Sequence, residues 1–168
     1  QPSYNPNSFS ASSPERWRNS IATSPFEPGS VLKIFTMAAL LETGVATTTM
    51  TFPSPGYYQR ILPNGTTIRI GDLGDYGDLT MEDILQYSSN AGTAHASELI
   101  SEESFYHMLR LFGFGQLTGI PFRAESPGLL RTIDQWSGRT KPTIAIGHEI
   151  AITPLQIIQA ATALTNDG

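Results

Sequence analysis

Apolar residues crowd one stretch of this chain more than any other. Ser30 to Thr43 reads SVLKIFTMAALLET, with Val31, Leu32, Ile34, Phe35, Met37, Ala38, Ala39, Leu40 and Leu41 placed all round a helical wheel. Gly44 follows as a C′ residue, so the pattern predicts a helix over 30–43. A helix that is apolar on every face asks for burial on every face. Further helices are predicted over 81–87, 91–100, 102–112 and 154–165. The first opens on the capping pattern Thr80-Met81-Glu82-Asp83, and the last on the N-cap and N1 pair Thr153-Pro154. Residues 45–79 have strand character, with a small hairpin over 60–70 about Asn64-Gly65, a pair that predicts a type I′ turn. Asn64-Gly65-Thr66 also matches a glycosylation acceptor, but the turn explains it without further assumption. Residues 1–29, rich in Pro, Ser and Asn, are predicted as loop with a short helix around Glu15 to Asn19. Residues 113–152 are predicted as Gly/Pro-rich irregular structure around a short apolar run, Thr143 to Ile146. The expected fold is mainly α, with any sheet confined to short hairpins.

Composition narrows the classes. At 168 residues, 39% hydrophobic and 15% charged, the chain is a globular domain rather than a disordered one. A net charge of -5 argues against a surface built for nucleic acid. Zero Cys excludes disulfides, thiol catalysis and Cys-ligated metal. No apolar run approaches the ~20 residues that span a bilayer, and no signal peptide is present. Gln1 in place of Met reads as a cut end.

Two short patterns could carry chemistry. In Ser30-Val31-Leu32-Lys33 the first and last residues share a helix face, so a hydroxyl and an amine can meet at a helix N-terminus. Lys33 is one of two lysines, with Lys141, and it lies in an apolar run, where desolvation favours the neutral amine. A serine beside an amine base is a route to acyl transfer; an N-cap Ser and a snorkelling Lys would look the same. Ser88-Ser89-Asn90 sits between two helical patterns, either as a proton relay and carbonyl holder or as plain cap and turn residues. Asp72, Asp75 and Asp78 fall in GDLGDYGD, whose spacing is not that of a calcium loop and reads as a solvated acidic loop. His95 and His107 lie on helical patterns and read as structural, and His148 reads as filling a loop rather than contacting a substrate.

S-x-x-K, S-x-N and K-T-G together are the signature of penicillin-binding proteins and serine β-lactamases, and the first two occur here in that order. The surroundings are more specific. Phe26-Glu27-Pro28-Gly29-Ser30-Val31-Leu32-Lys33, followed by Ala39-Leu40-Leu41-Glu42-Thr43-Gly44, closely resembles the nucleophile segment of class B penicillin-binding proteins. Pro2 to Asn7 resembles the stretch before it, and Ser88-Ser89-Asn90-Ala91-Gly92 the second motif. Phe112 to Gly115, Thr118-Gly119-Ile120 and Glu125 to Gly128 resemble the landmarks that follow. Ile146 to Ile150 with Thr153 to Gln156 resembles the family's last loop and helix before its active-site strand. The resemblance runs through nearly the whole chain in the family's order.

The resemblance implies peptidoglycan D,D-transpeptidation without a cofactor. Ser30 would be the acylated nucleophile and Lys33 its general base. Ser88 would relay a proton to the leaving group, and Asn90 would bind the substrate amide and help position Lys33. The partners implied are a stem peptide ending in D-Ala-D-Ala, β-lactam antibiotics and divisome or elongasome proteins. The nucleophile segment looks somewhat closer to the division branch. The implied place is the periplasmic or extracytoplasmic face of the inner membrane, held by an anchor outside this segment.

One departure stands out. Neither Lys-Thr-Gly nor Lys-Ser-Gly occurs anywhere, and Lys141 is followed by Pro142-Thr143. Gly147-His148-Glu149 stands where many relatives have Gly, Gln or Tyr, and Gly. The chain therefore looks like the helical portion of a transpeptidase domain over 1–168, with most of the central antiparallel sheet missing and little activity by itself. Two alternatives share the same residues: a serine β-lactamase or β-lactam-sensor relative, and a non-enzymatic helical fragment.

Overall fold

Helix α2 (Leu32–Glu42) runs through the centre of the computed structural model, which describes residues 4–166. Its entry is a 3-10 turn, Gly29–Val31, so Ser30 lies in a tighter turn ahead of the α-helix that the sequence predicts to start there. Gly44 closes the helix at φ +68°, the left-handed position that glycine occupies without a Cβ penalty. Leu32, Phe35, Met37, Ala39 and Leu40 are buried, and Phe35 meets the rings of Phe112 and Phe114 edge-on, each at 5.3 Å. The burial is not complete: Val31, Ile34 and Leu41 keep 40–47% of their surface exposed along one stripe.

Before α2 come two 3-10 turns, Pro6–Ala11 and Pro14–Trp17, and the short α1 (Ser20–Thr23), in place of a single helix at 15–19. Of the Pro2–Asn7 stretch, Pro2 and Ser3 lie outside the described residues, as do Asp167 and Gly168 at the other end. After α2 the sheet is larger than a short hairpin. Strand β1 (Thr51–Ile61) pairs antiparallel with β2 (Thr67–Thr80), and the chain turns at Asn64-Gly65, but not as type I′: Gly65 is at φ +81°, Asn64 is not left-handed, and the Gly65 N–H donates to the Leu62 carbonyl at 2.8 Å. Alternation places Phe52, Tyr58, Ile68 and Ile70 inward; Tyr58, Ile68 and Ile70 pack with Ala91, Ala94 and Ile146. GDLGDYGD is therefore strand, not loop. Opposite Gly56, between the pairs Pro55↔Asp75 and Tyr57↔Gly71, β2 carries three residues, Asp72 to Gly74. This bulge breaks the alternation and turns Asp72 out of the ladder.

Helices α3 (Met81–Tyr87), α4 (Asn90–Ser97), α5 (Glu102–Leu111) and α7 (Pro154–Ala163) fall where the pattern predicts them, with α4 and α7 shorter. Reciprocal capping boxes, Thr80 with Asp83 and Thr153 with Gln156, start α3 and α7. Helix α6 (Thr140–Ala145) lies within a stretch predicted to be irregular. It is buried along its length and receives the Thr36 hydroxyl of α2 on the Ala145 carbonyl at 2.9 Å. Lys141 on α6 is buried and donates to the Ile100 carbonyl at 2.8 Å. No helix among the described residues is long and apolar enough to cross a membrane.

Candidate active site

Three of the four candidate residues meet at the junction of α2, α3 and α4. Ser88 closes α3 in the left-handed conformation, φ 55° and ψ 38°, unusual for a residue with a side chain. That conformation turns the chain sharply into Ser89, which caps α4 by accepting from the Gly92 N–H at 2.9 Å. The sharp turn presents the Ser88 carbonyl and hydroxyl together to α2. Lys33 Nζ donates to both: to the carbonyl in a short hydrogen bond, and to Ser88 Oγ at 3.1 Å. Ser88 Oγ in turn donates to Ser30 Oγ at 2.8 Å. Ser30, Ser88 and Lys33 thus form one continuous hydrogen-bonded chain. The amine reaches the nucleophile candidate through Ser88; among the described residues it makes no hydrogen bond to Ser30 itself.

Lys33 is 1% exposed. Burial lowers its pKa to about 8, partly offset by the negative charge of Asp72. The lysine is then a base that is partly neutral near physiological pH. Ser30, by contrast, is exposed at the N-terminal turn leading into α2, where backbone N–H groups favour developing negative charge.

Asn90 is placed differently from the other three. Its Nδ2 donates to the Gly71 carbonyl of β2 at 3.1 Å, and among the described residues it makes no hydrogen bond to Lys33. The group that does act on Lys33 from a distance is Asp72, which the sequence reading assigns to a solvated loop. From its bulge, the Asp72 carboxylate accepts the Ser89 hydroxyl at 2.5 Å and the N–H groups of Asn90 at 3.1 Å and Ala91 at 3.0 Å. Ser89 Oγ also lies 3.1 Å from Ser54 Oγ, but it has one proton, and the acceptor-only carboxylate takes it. Burial raises the Asp72 pKa, and the hydrogen bonds from Ser89, Ala91, Asn90 and Leu73 outweigh it, so the carboxyl is held below its ordinary range. Asp72 thereby fastens the start of α4, and with it the Ser88–Asn90 turn, to the sheet. Its only sequence signal is an acid that follows the alternating Ile68-Arg69-Ile70 run.

The histidines stand apart from this path. His95 packs edge-on to Tyr58 at 4.9 Å, and burial lowers its pKa. Among the described residues no group of His, Cys, Asp or Glu could hold a metal ion.

Two serines and a buried lysine thus lie on one hydrogen-bonded path at the head of an apolar helix. The family comparison is specific: the model for the penicillin-binding protein transpeptidase domain matches residues 1–168. The chain belongs to that family, and its relatives are class B penicillin-binding proteins. It is 39% identical over 152 residues to the penicillin-binding protein PbpB of Mycobacterium tuberculosis, covering 89% of this chain and 22% of that protein. It is 33% identical over 167 residues to the probable peptidoglycan D,D-transpeptidase PenA of Neisseria flavescens, covering 99% of this chain and 40% of that protein. Among solved structures, penicillin-binding protein 3 of Mycobacterium tuberculosis complexed with aztreonam superposes with a TM-score of 0.79 at 39% identity, covering 89% of this chain and 33% of that one. The chain thus spans less than half the length of these relatives.

Proposed function

We propose that this chain forms the acylation centre of a class B peptidoglycan D,D-transpeptidase. The observation that carries the proposal is the path from Lys33 through Ser88 to Ser30, set at the head of a helix in a family of transpeptidases. Ser30 Oγ attacks the penultimate D-Ala carbonyl of a stem peptide. Its proton passes to Ser88, and Ser88 passes its own to the neutral Lys33 amine. The Ser30 N–H stabilises the oxyanion. The C–N bond to the terminal D-Ala then breaks, with a proton returned through Ser88 to the leaving amine. An amine of a neighbouring stem peptide attacks the ester, forms the cross-link and frees Ser30. A β-lactam enters by the same first step, and its opened ring remains on Ser30. No cofactor takes part. The work belongs outside the cytoplasmic membrane, in concert with division or elongation proteins.

The chain holds the nucleophile and its proton path but no Lys-Thr-Gly sequence to supply a carboxylate clamp and a second oxyanion donor. Losing one such donor costs about 10²–10³ in rate, so the 168 residues alone acylate slowly. To test the function, the full-length protein is incubated with donor and acceptor stem peptides, and D-Ala release and cross-linked product are measured. Equal release and cross-linking, both lost in Ser30→Ala, is the expected result. Rapid hydrolysis of β-lactams without cross-linking would favour a β-lactamase instead.

A further inference from the structure

The backbone that delivers Ser30 to α2 is tied along one side to the loop at 147–152. Phe26 and Ile152 exchange backbone hydrogen bonds at 3.0 and 2.9 Å, and the Gly29 N–H donates to the Gly147 carbonyl at 3.0 Å. Between these ties sits Glu27. Its Oε2 accepts from Nδ1 of His148 at 2.9 Å, and its Oε1 accepts from the Glu149 N–H at 2.9 Å. Glu149 itself is at φ 58°, a conformation that residues with side chains seldom adopt. The approach is close: a Cβ on Gly147 would lie 1.9 Å from the Gly29 carbonyl oxygen. The hydrogen bond from His148, then that from Glu149, hold the Glu27 carboxyl below its ordinary range.

The Glu27 and His148 side chains are each 52% exposed, so their attraction contributes little to global stability. What the pair constrains is local. Glu27 is three residues before Ser30, with only Pro28, which is buried, and half-buried Gly29 between. Both groups line a cleft of about 460 Å³ that reaches Gly71, the partner of Asn90. The Ser30 N–H and Oγ must be fixed where the tetrahedral oxyanion and the attacked carbon will sit, and a displacement of ~1 Å costs about 10²-fold in rate.

We propose that Glu27 is a positioning residue for Ser30: its carboxylate, held by the His148 ring and the Glu149 N–H, fixes the 27–29 backbone that aims the nucleophile. The proposal rests on Ser30 being the acylated residue. The test uses the full-length protein and a fluorescent penicillin, with rapid-quench kinetics to separate the acylation rate constant from the affinity of the preceding complex. Glu27→Ala lowers the rate constant about 10- to 100-fold and leaves the affinity and the melting temperature nearly unchanged. Glu27→Gln restores the rate to within about threefold, since its amide can accept from Glu149 and donate to the other His148 tautomer. His148→Ala slows acylation about three- to tenfold, and Glu27→Ala/His148→Ala is no slower than Glu27→Ala. A wild-type rate in Glu27→Ala, no recovery in Glu27→Gln, or independent multiplication of the two single effects overturns the proposal. If Glu27→Ala does not fold, His148→Ala and Glu27→Gln decide: a His148→Ala rate equal to wild type overturns it. Labelling that survives Ser30→Ala would instead remove the nucleophile assignment.

Discussion

On the proposed mechanism, the buried Lys33 amine should make acylation depend on pH in a calculable way. An ordinary lysine, at 10.5, is neutral in roughly one molecule in 3,000 at pH 7; at about 8, the value burial imposes here, about one in ten is neutral. Burial among α2, α3 and α4 therefore raises the supply of free base by about 300-fold at neutral pH. The acylation rate constant of the full-length protein should rise about tenfold per pH unit up to about pH 8 and level off above it. The sign on stability is separate. The folded value lies below the unfolded one, so the cost of burying the ammonium is present in full below about pH 8 and is relieved as pH rises toward 10.5. Melting temperatures taken at each pH keep the two effects apart. Lys33→Ala removes the proton acceptor, so it should lower the rate about 10²–10⁴-fold and flatten the profile. The assay is stopped-flow acylation by a fluorescent penicillin between pH 6 and 9.5. A flat wild-type profile, a midpoint near 10.5, or a Lys33→Ala rate within tenfold of wild type would refute the reasoning.

Asp72→Asn removes the charge that raises the Lys33 pKa, so the acylation midpoint should move below about 8. It also puts an amide against N–H donors at the start of α4, costing about 2–3 kcal/mol in urea denaturation; a midpoint that moves upward contradicts the assignment. Phe35→Ala vacates the aromatic cluster with Phe112 and Phe114 and should destabilise the domain by about 3–5 kcal/mol, read from the urea midpoint. Gly147→Ala forces a Cβ to within 1.9 Å of the Gly29 oxygen at φ +87°, so the 26–29 segment must move and acylation should fall about 10²-fold. Unchanged kinetics in that variant would show that the loop does not position Ser30.

Local rules made much of this molecule legible. The caps at Thr80 and Thr153, the glycine stop at Gly44 and the position of the hairpin turn at Asn64-Gly65, though not its type, each depend on neighbours in sequence, and each appears where the residues dictate. Ser30 and Lys33 could be paired because they are one helical turn apart. What stayed hidden depends on partners far along the chain. Strand β2 carries glycines and aspartates that disfavour strands, yet it pairs with β1 from end to end except at the Asp72–Gly74 bulge and at Tyr76, which is left out between the pairs Pro55↔Asp75 and Ser54↔Gly77. Helix α6 contains Pro142, but its burial against α2 and α4 overrides the local signal. Asp72 becomes part of the site only when the bulge turns it toward Ser89, a contact spanning 17 residues. Likewise, nothing in Ser88-Ser89-Asn90 reveals that Ser88 is left-handed, or that its hydroxyl stands between the lysine and Ser30.

The central claim is that Ser30 is the residue acylated. Its most direct test is peptide mapping by mass spectrometry after brief exposure of the full-length protein to a penicillin. The account predicts a single adduct, on the peptide that contains Ser30, absent from Ser30→Ala and formed far more slowly in Lys33→Ala. An adduct on any other residue, or one that persists in Ser30→Ala, would contradict it.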